Sequence, residues 1–334
     1  MHTAMALAPT APHTVRPGVP VAKMIIRWAK LLGGVGILAV LLWRVGTGPF
    51  LDGVRLIDLW AVVAALIIGG LTTVCCAWRW SLVSEGLGVR LPLGSAIAQC
   101  YRAVFLNSVL PGGVLGDVDR AVRHGKDSGD VGHGVRAVVW ERTAGQIVQA
   151  VIAVIVLFAF PSPVQRYLPV AAVVAVSAGA LVYLVLRVLP RRGPSRLARA
   201  MRSAEGDVRR GLLANGNWFG VLVASSVVVG GHLGMFVVAA RTAGATAPLA
   251  LLVPLTLLAL LAMGLPLNVG GFGPREGVAA WAFAAAGLTA DQGVATAMVY
   301  GALALVSSLP GAAVLVVRRL RFSQPAIGEG QLGG

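Results

Sequence analysis

The sequence predicts an all-α integral membrane protein: a polytopic bundle of about eight transmembrane or re-entrant helices, with two broken-helix elements in the pattern of inverted repeats. Three observations predict it. The 334 residues are 57% hydrophobic and only 12% charged, against roughly 25% charged in soluble domains. Apolar runs recur at about the 20-residue length that crosses a bilayer. Two Gly- and Pro-rich stretches with ionisable residues interrupt that apolar background: NSVLPGGVLGDVDR at 107–120 and GLPLNVGGFGPREG at 264–277. Irregular backbone at membrane depth survives only where protein or a water-filled cavity covers it, and ionisable groups there mark functional sites.

In chain order, residues 1–22 are rich in Pro, Ala and Thr and read as a disordered tail, 23–321 as the membrane domain, and 322–334 as a second tail. Basic residues precede a first helix at about 25–46, and a second span is expected at 57–78. Arg79, Glu85 and Arg90 fall in the loop after it, and Trp43, Trp60, Trp78 and Trp80 sit near span ends as an aromatic belt would. The apolar segment 93–110 contains Gln99, Arg102 and Asn107 and runs into LPGG. A plain span there places Arg120, Arg123, Lys126 and Arg136 outside the cell; a re-entrant hairpin returns them to the cytoplasm, and the charge rule favours re-entry.

The next span, 137–160, carries Arg142, Gln146 and Gln149 on one helical face, which should look into the bundle. Residues 168–189 span again and end in the most basic segment, from Arg187 to Arg210. That segment is a cytoplasmic marker with the composition to lie on anionic lipid headgroups. A span at 218–240 follows, with Gly230 and Gly234 expected at a close helix contact and His232 as a neutral packed residue. Residues 249–288 hold the second broken element, and 292–317 the last span. Arg318, Arg319 and Arg321 place the C-terminus, like the N-terminus, in the cytoplasm of a multi-pass cell-membrane protein.

The net charge of +15 arises from 28 Lys and Arg against 13 Asp and Glu. Because the basic residues cluster in loops, the positive-inside rule explains it without nucleic acid. Cys75, Cys76 and Cys100 have neither disulfide nor zinc spacing, and no cofactor or metal is expected.

Both polar stretches have the parts of an anion site. Gly273-Pro274 is suited to start a half-helix whose free N–H groups and positive dipole end meet a ligand. Arg275 adds a charge that grips phosphate in bidentate fashion, and Glu276 neutralises it when the site is empty. Asn107, Asp117 and Arg120 form a parallel set around Pro111, Gly112, Gly113 and Gly116, with Glu141 and Arg142 as neighbours. The alternative is that these charges pair with each other and lock helix packing.

The ordered motifs resemble the flippase-like family typified by the transmembrane region of lysylphosphatidylglycerol synthases. The matching residues are Asn107 through LPGG to Gly116, Asp117 and Arg120; Glu141 and Arg142; then Pro266, Asn268, Gly270, Gly271, Gly273, Arg275 and Glu276. The resemblance covers about 25–321 and implies an eight-helix-type membrane fold that moves lipids between leaflets. The cytosolic aminoacyl-transfer domain of the synthases has no counterpart here, so lipid aminoacylation by this stretch alone is not expected.

The leading expectation is a transporter for a phospholipid or prenyl-linked lipid with an anionic headgroup. No Walker A loop is present, so movement would be downhill or coupled to an ion or the membrane potential. Two alternatives stay open. One is an intramembrane lipid-modifying transferase, with Asp117 or Glu141 as base and Arg275 as phosphate clamp, against which stands the lack of HExxH or GxSxG. The other is an accessory or scaffold subunit for a separate lipid or glycan synthase.

Overall fold

A computed structural model describes residues 57–110, 113–170, 203–213, 216–264 and 273–322, with isolated positions 173, 177 and 184. The expected tail and helix at 1–46, the tail positions 323–334, most of the 168–189 span and much of the 187–210 segment lie outside the described residues. So do Pro111, Gly112, Pro266, Asn268, Gly270 and Gly271.

The described residues are helical, without strands. Each half of the described bundle has the same order: long helix, helical hairpin, long helix. In the first half these are α1 (Leu59–Gly86), the hairpin of α2 (Leu93–Val109) and α3 (Leu115–Asp127), and α4 (Val131–Ala159). In the second they are α5 (Asn217–Thr242), the hairpin of α6 (Leu249–Met263) and α7 (Pro274–Ala285), and α8 (Ala290–Ser308). A final helix, α9 (Pro310–Phe322), continues from α8.

Length and composition separate the two kinds of element. Helices α1, α4 and α5 and the continuous stretch Ala290–Val316 have 26 to 29 residues and are apolar enough to cross a membrane. At 1.5 Å per residue they reach roughly 40 Å. The hairpin helices have only 12 to 17 residues, too few to span alone. Large apolar side chains such as Trp60, Ile67, Ile155 and Phe219 are exposed on the long helices, as a surface solvated by lipid requires.

Contacts at the helix ends fix the topology. The Asn217 amide at the start of α5 donates to the Leu82 carbonyl near the end of α1. Ala61 and Ala65 near the start of α1 pack in one core cluster with Phe236, Ala239 and Ala240 near the end of α5. Helices α1 and α5 are therefore antiparallel, and the two halves are inverted. The first hairpin enters and leaves at the end where α1 finishes: His124 on α3 contacts Ser84 on α1 at 2.8 Å, and His133 on α4 contacts the Leu87 carbonyl at 2.9 Å. The second enters and leaves at the other end, where the Gln292 side chain of α8 meets the Gly244 carbonyl. The two hairpins therefore enter the bundle from opposite ends.

Local sequence explains these elements. Asp130 caps α4 through the N–H groups of Gly132 and His133. The backbone donors of His133 and Gly132 hold its carboxyl below the usual carboxylate range. Pro92 precedes α2, and Pro274 occupies the first turn of α7, where its missing N–H costs nothing.

Three expectations are corrected. Helix α1 does not stop at Trp78 but runs to Gly86, so Arg79 is a buried helical residue rather than a loop residue. Trp80 is fully buried instead of lying in an aromatic belt. The close contact of α5 with α1 is made at Gly231, where a Cβ would lie 2.3 Å from the Thr72 methyl group; Gly230 has nothing within 4 Å and Gly234 only touches Ile68. Part of the basic segment also packs: a turn at Val208–Leu213 lies against Gly86, and the buried Asp207 pairs with Arg136 and accepts from the Trp140 indole.

Candidate functional site

Gly116 sets how tightly the first hairpin closes. A Cβ there would lie 2.1 Å from the Ala103 carbonyl oxygen, so only glycine lets the α3 backbone rest on α2. Gly113, with φ of 59°, turns the chain at the tip. Asn107 stitches the legs together. Its Oδ1 accepts from the Gly116 N–H at 2.8 Å, and its Nδ2 donates to Asp117 at 3.1 Å. This satisfies an otherwise open donor at the start of α3. Along the same legs, Arg102 pairs with Asp119 at 3.0 Å.

Asp117 begins a chain of ion pairs that binds α1, α3, α4 and α5 together. It accepts from Arg120 at 2.9 Å and from Arg142 at 2.8 Å. Arg120 reaches on to Glu141, whose carboxylate also receives Arg79. Arg79 donates in turn to the Ser225 hydroxyl on α5 at 2.9 Å. Arg120 stacks over the Trp80 ring at 4.8 Å, and Trp80 meets His124 edge-on. Glu141, Arg79 and Arg120 are almost wholly buried, whereas the Arg142 side chain is 44% exposed. Three guanidinium groups face two carboxylates, which leaves one positive charge, and Arg142 is the member with open space beside it. Desolvated charges of this kind persist only when paired with good geometry.

The tip of the second hairpin uses the expected residues in a closed arrangement. Gly273 has φ of 143°, a conformation that favours glycine. Its N–H donates to Glu276 Oε2 at 2.6 Å, so Glu276 caps its own helix. The other carboxylate oxygen of Glu276 accepts from Arg275 Nε at 2.9 Å. The Arg275 guanidinium also lies 4.9 Å from the centre of the Tyr300 ring on α8. Tyr300 Oη then meets His232 Nδ1 on α5 at 2.9 Å.

Residues of both hairpins line one cavity of about 330 Å³, with Asn107, Ser108 and Gly113 from the first, Met263 and Arg275 from the second, Arg142, His232 and Tyr300 from the long helices, and Thr72, Thr73 and Ser307 on its walls. A smaller cavity of about 80 Å³ adjoins it between α4, α5 and α6 and shares Arg142, His232 and Met263. Gln146 and Gln149 line the smaller one, which is the inward face expected for them. The larger volume falls within the range of ligand pockets. Among the described residues its wall combines two guanidinium groups and neutral hydrogen-bonding groups with apolar side chains such as Met235, Met263 and Leu305, and carries no carboxylate.

Of the residues expected at the site, Asn107, Gly113, Arg142 and Arg275 line the cavity. Gly116, Asp117, Arg120, Glu141, Gly273 and Glu276 stand behind it, where they position the tips and hold the arginines. The ion chain's anchor at Arg79, the Ser225 hydroxyl and the His232–Tyr300 pair are additions. An arginine one residue past a 20-residue apolar window was the available signal for Arg79; the others look like ordinary span residues in sequence.

A cavity between oppositely inserted helical hairpins defines the class: a helical membrane protein built as an inverted repeat around an internal cavity. The chain belongs to the family described as the lysylphosphatidylglycerol synthase TM region, whose profile matches residues 27–311. No curated protein and no solved structure matches the chain.

Proposed function

We propose that this protein moves an anionic lipid headgroup between the leaflets of the cell membrane without nucleotide hydrolysis. The observation that carries the reading is the shared cavity. Arg142 comes from the first half and Arg275 from the second, and both line one cavity between opposed hairpins. A headgroup reached from either side would find the same two cations, while its acyl chains stay in lipid. The family membership supports a lipid as the ligand. The end carrying Arg90, Arg123, Lys126, Arg136, Arg209 and Arg210 faces the cytoplasm in this reading, and the end carrying Arg166 and Arg241 faces outward.

Proteoliposomes containing fluorescent phospholipid and prenyl-phosphate probes test it, with leaflet accessibility read by a membrane-impermeant quencher. Movement of an unaltered anionic probe is expected. A change in lipid mass would replace transport with chemistry, and no movement of any probe would sink the transport reading.

A further inference from the structure

The His232–Tyr300 pair lines the larger cavity, and His232 lines the smaller one as well, at the junction of the two. His232 Nδ1 is held by Tyr300, and no other hydrogen-bond partner meets the ring among the described residues. The neutral ring keeps one nitrogen free of hydrogen, and a proton taken there leaves Nδ1–H donating to Tyr300 Oη. The charged groups around it are mostly cations. Arg79 from α1 and Arg142 from α4 line the small cavity with it. From α7, Arg275 lies over Tyr300 and is balanced by Glu276. Helix α6 presents only Leu260 and Met263 there. A proton on His232 therefore adds a cation to a space that already has one in excess, and an anion on Arg142 removes that excess.

Resting on the transport reading above, we infer that His232 is a proton site coupled to the anion site, so that one proton enters with each anionic group bound at Arg142. The driving force then follows from the chemistry. A proton and a monoanion cross as a neutral pair, and a pH gradient rather than nucleotide supplies direction. Asp117 and Glu141 are the acids near Arg142: Arg120 and Asn107 keep Asp117 paired when Arg142 turns to a ligand, and Arg79 and Arg120 hold Glu141.

Calorimetric titration of the purified full-length protein in two buffers of different ionisation enthalpy tests this. The probes are dihexanoyl phosphatidylglycerol, inorganic sulfate as a free oxyanion, and dihexanoyl phosphatidylcholine as a zwitterion. Uptake approaching about one proton per bound anion is expected, with affinity falling up to roughly tenfold per pH unit as pH rises through the window between the empty and occupied states. Uptake with phosphatidylglycerol alone assigns the site to lipid headgroups; uptake with sulfate as well assigns it to oxyanions in general. His232→Gln should abolish proton uptake and flatten the pH profile of whatever anion binding remains, and His232→Asn should agree. Wild-type binding without proton uptake overturns the coupling but leaves the anion site standing. Uptake that persists in both variants moves the proton to another group. No anion binding at all overturns the site and the coupling together.

Discussion

Arg79 on α1 and Glu141 on α4 lie 62 positions apart in sequence, yet Arg79 Nε donates to Glu141 Oε1 at 2.9 Å with both side chains at least 96% buried. Arg120 on α3 occupies the other carboxylate oxygen. One acid thus holds two arginines from two other elements, and the first hairpin is fixed to the bundle through it.

Glu141→Gln is therefore expected to destabilise by about 3–5 kcal/mol, because it leaves the buried Arg79 guanidinium without its counter-charge and takes from Arg120 one of its two carboxylate partners. Thermal unfolding of the detergent-solubilised protein, followed by fluorescence-detected size exclusion, checks this. Wild-type behaviour of the variant would mean that Glu141 does not carry the packing described.

The two legs of the first hairpin make a glycine-specific prediction. Gly116→Ala puts a methyl group against the Ala103 carbonyl and should cost about 1–3 kcal/mol, as overpacking does, or prevent folding. Gly230→Ala, on the same assay, should be silent, since nothing lies within 4 Å of that position.

Asn107→Ala removes both the acceptor for the Gly116 N–H and the donor to Asp117. A loss of about 1–2 kcal/mol is expected, concentrated at the tip. Hydrogen exchange should show faster amide exchange at 113–118 and little change in α5.

Arg142 and Arg275 should differ in how they fail. Arg142 is partly open to the cavity and Asp117 keeps Arg120 without it, so Arg142→Ala should fold and lose lipid movement. Arg275→Ala leaves the fully buried Glu276 with the Gly273 N–H, so it should lose both movement and stability. Expression yield beside leaflet exchange separates the two outcomes. Full transport by Arg142→Ala would remove the cavity from the mechanism.

The sequence made the hairpins visible because glycine, proline and charge are costly in lipid, so their clustering at 107–120 and 264–277 had few explanations. Arg142, Gln146 and Gln149 were readable as an inward face from helical period alone. Arg79 and Trp80 were not, because hydropathy ends a helix where the apolar run ends, whereas Glu141 lets α1 carry a charge inside the bundle. The contact at Gly231 instead of Gly230 and Gly234 was equally hidden. Adjacent glycines differ by 100° around a helix, and only the orientation of the partner selects between them.

The opposed insertion of the two hairpins is the feature on which the cavity and its proposed function rest, and accessibility from the two sides of the membrane tests it most directly. With Cys75, Cys76 and Cys100 replaced by alanine, single cysteines at Arg90, which precedes the first hairpin, and Asp291, which follows the second, can be labelled in sealed vesicles with an impermeant maleimide. Both positions are exposed. The structure predicts that the cysteine at one position reacts only from one side and the cysteine at the other only from the opposite side. Reaction of both from the same side would place the hairpins in parallel and contradict the inverted architecture.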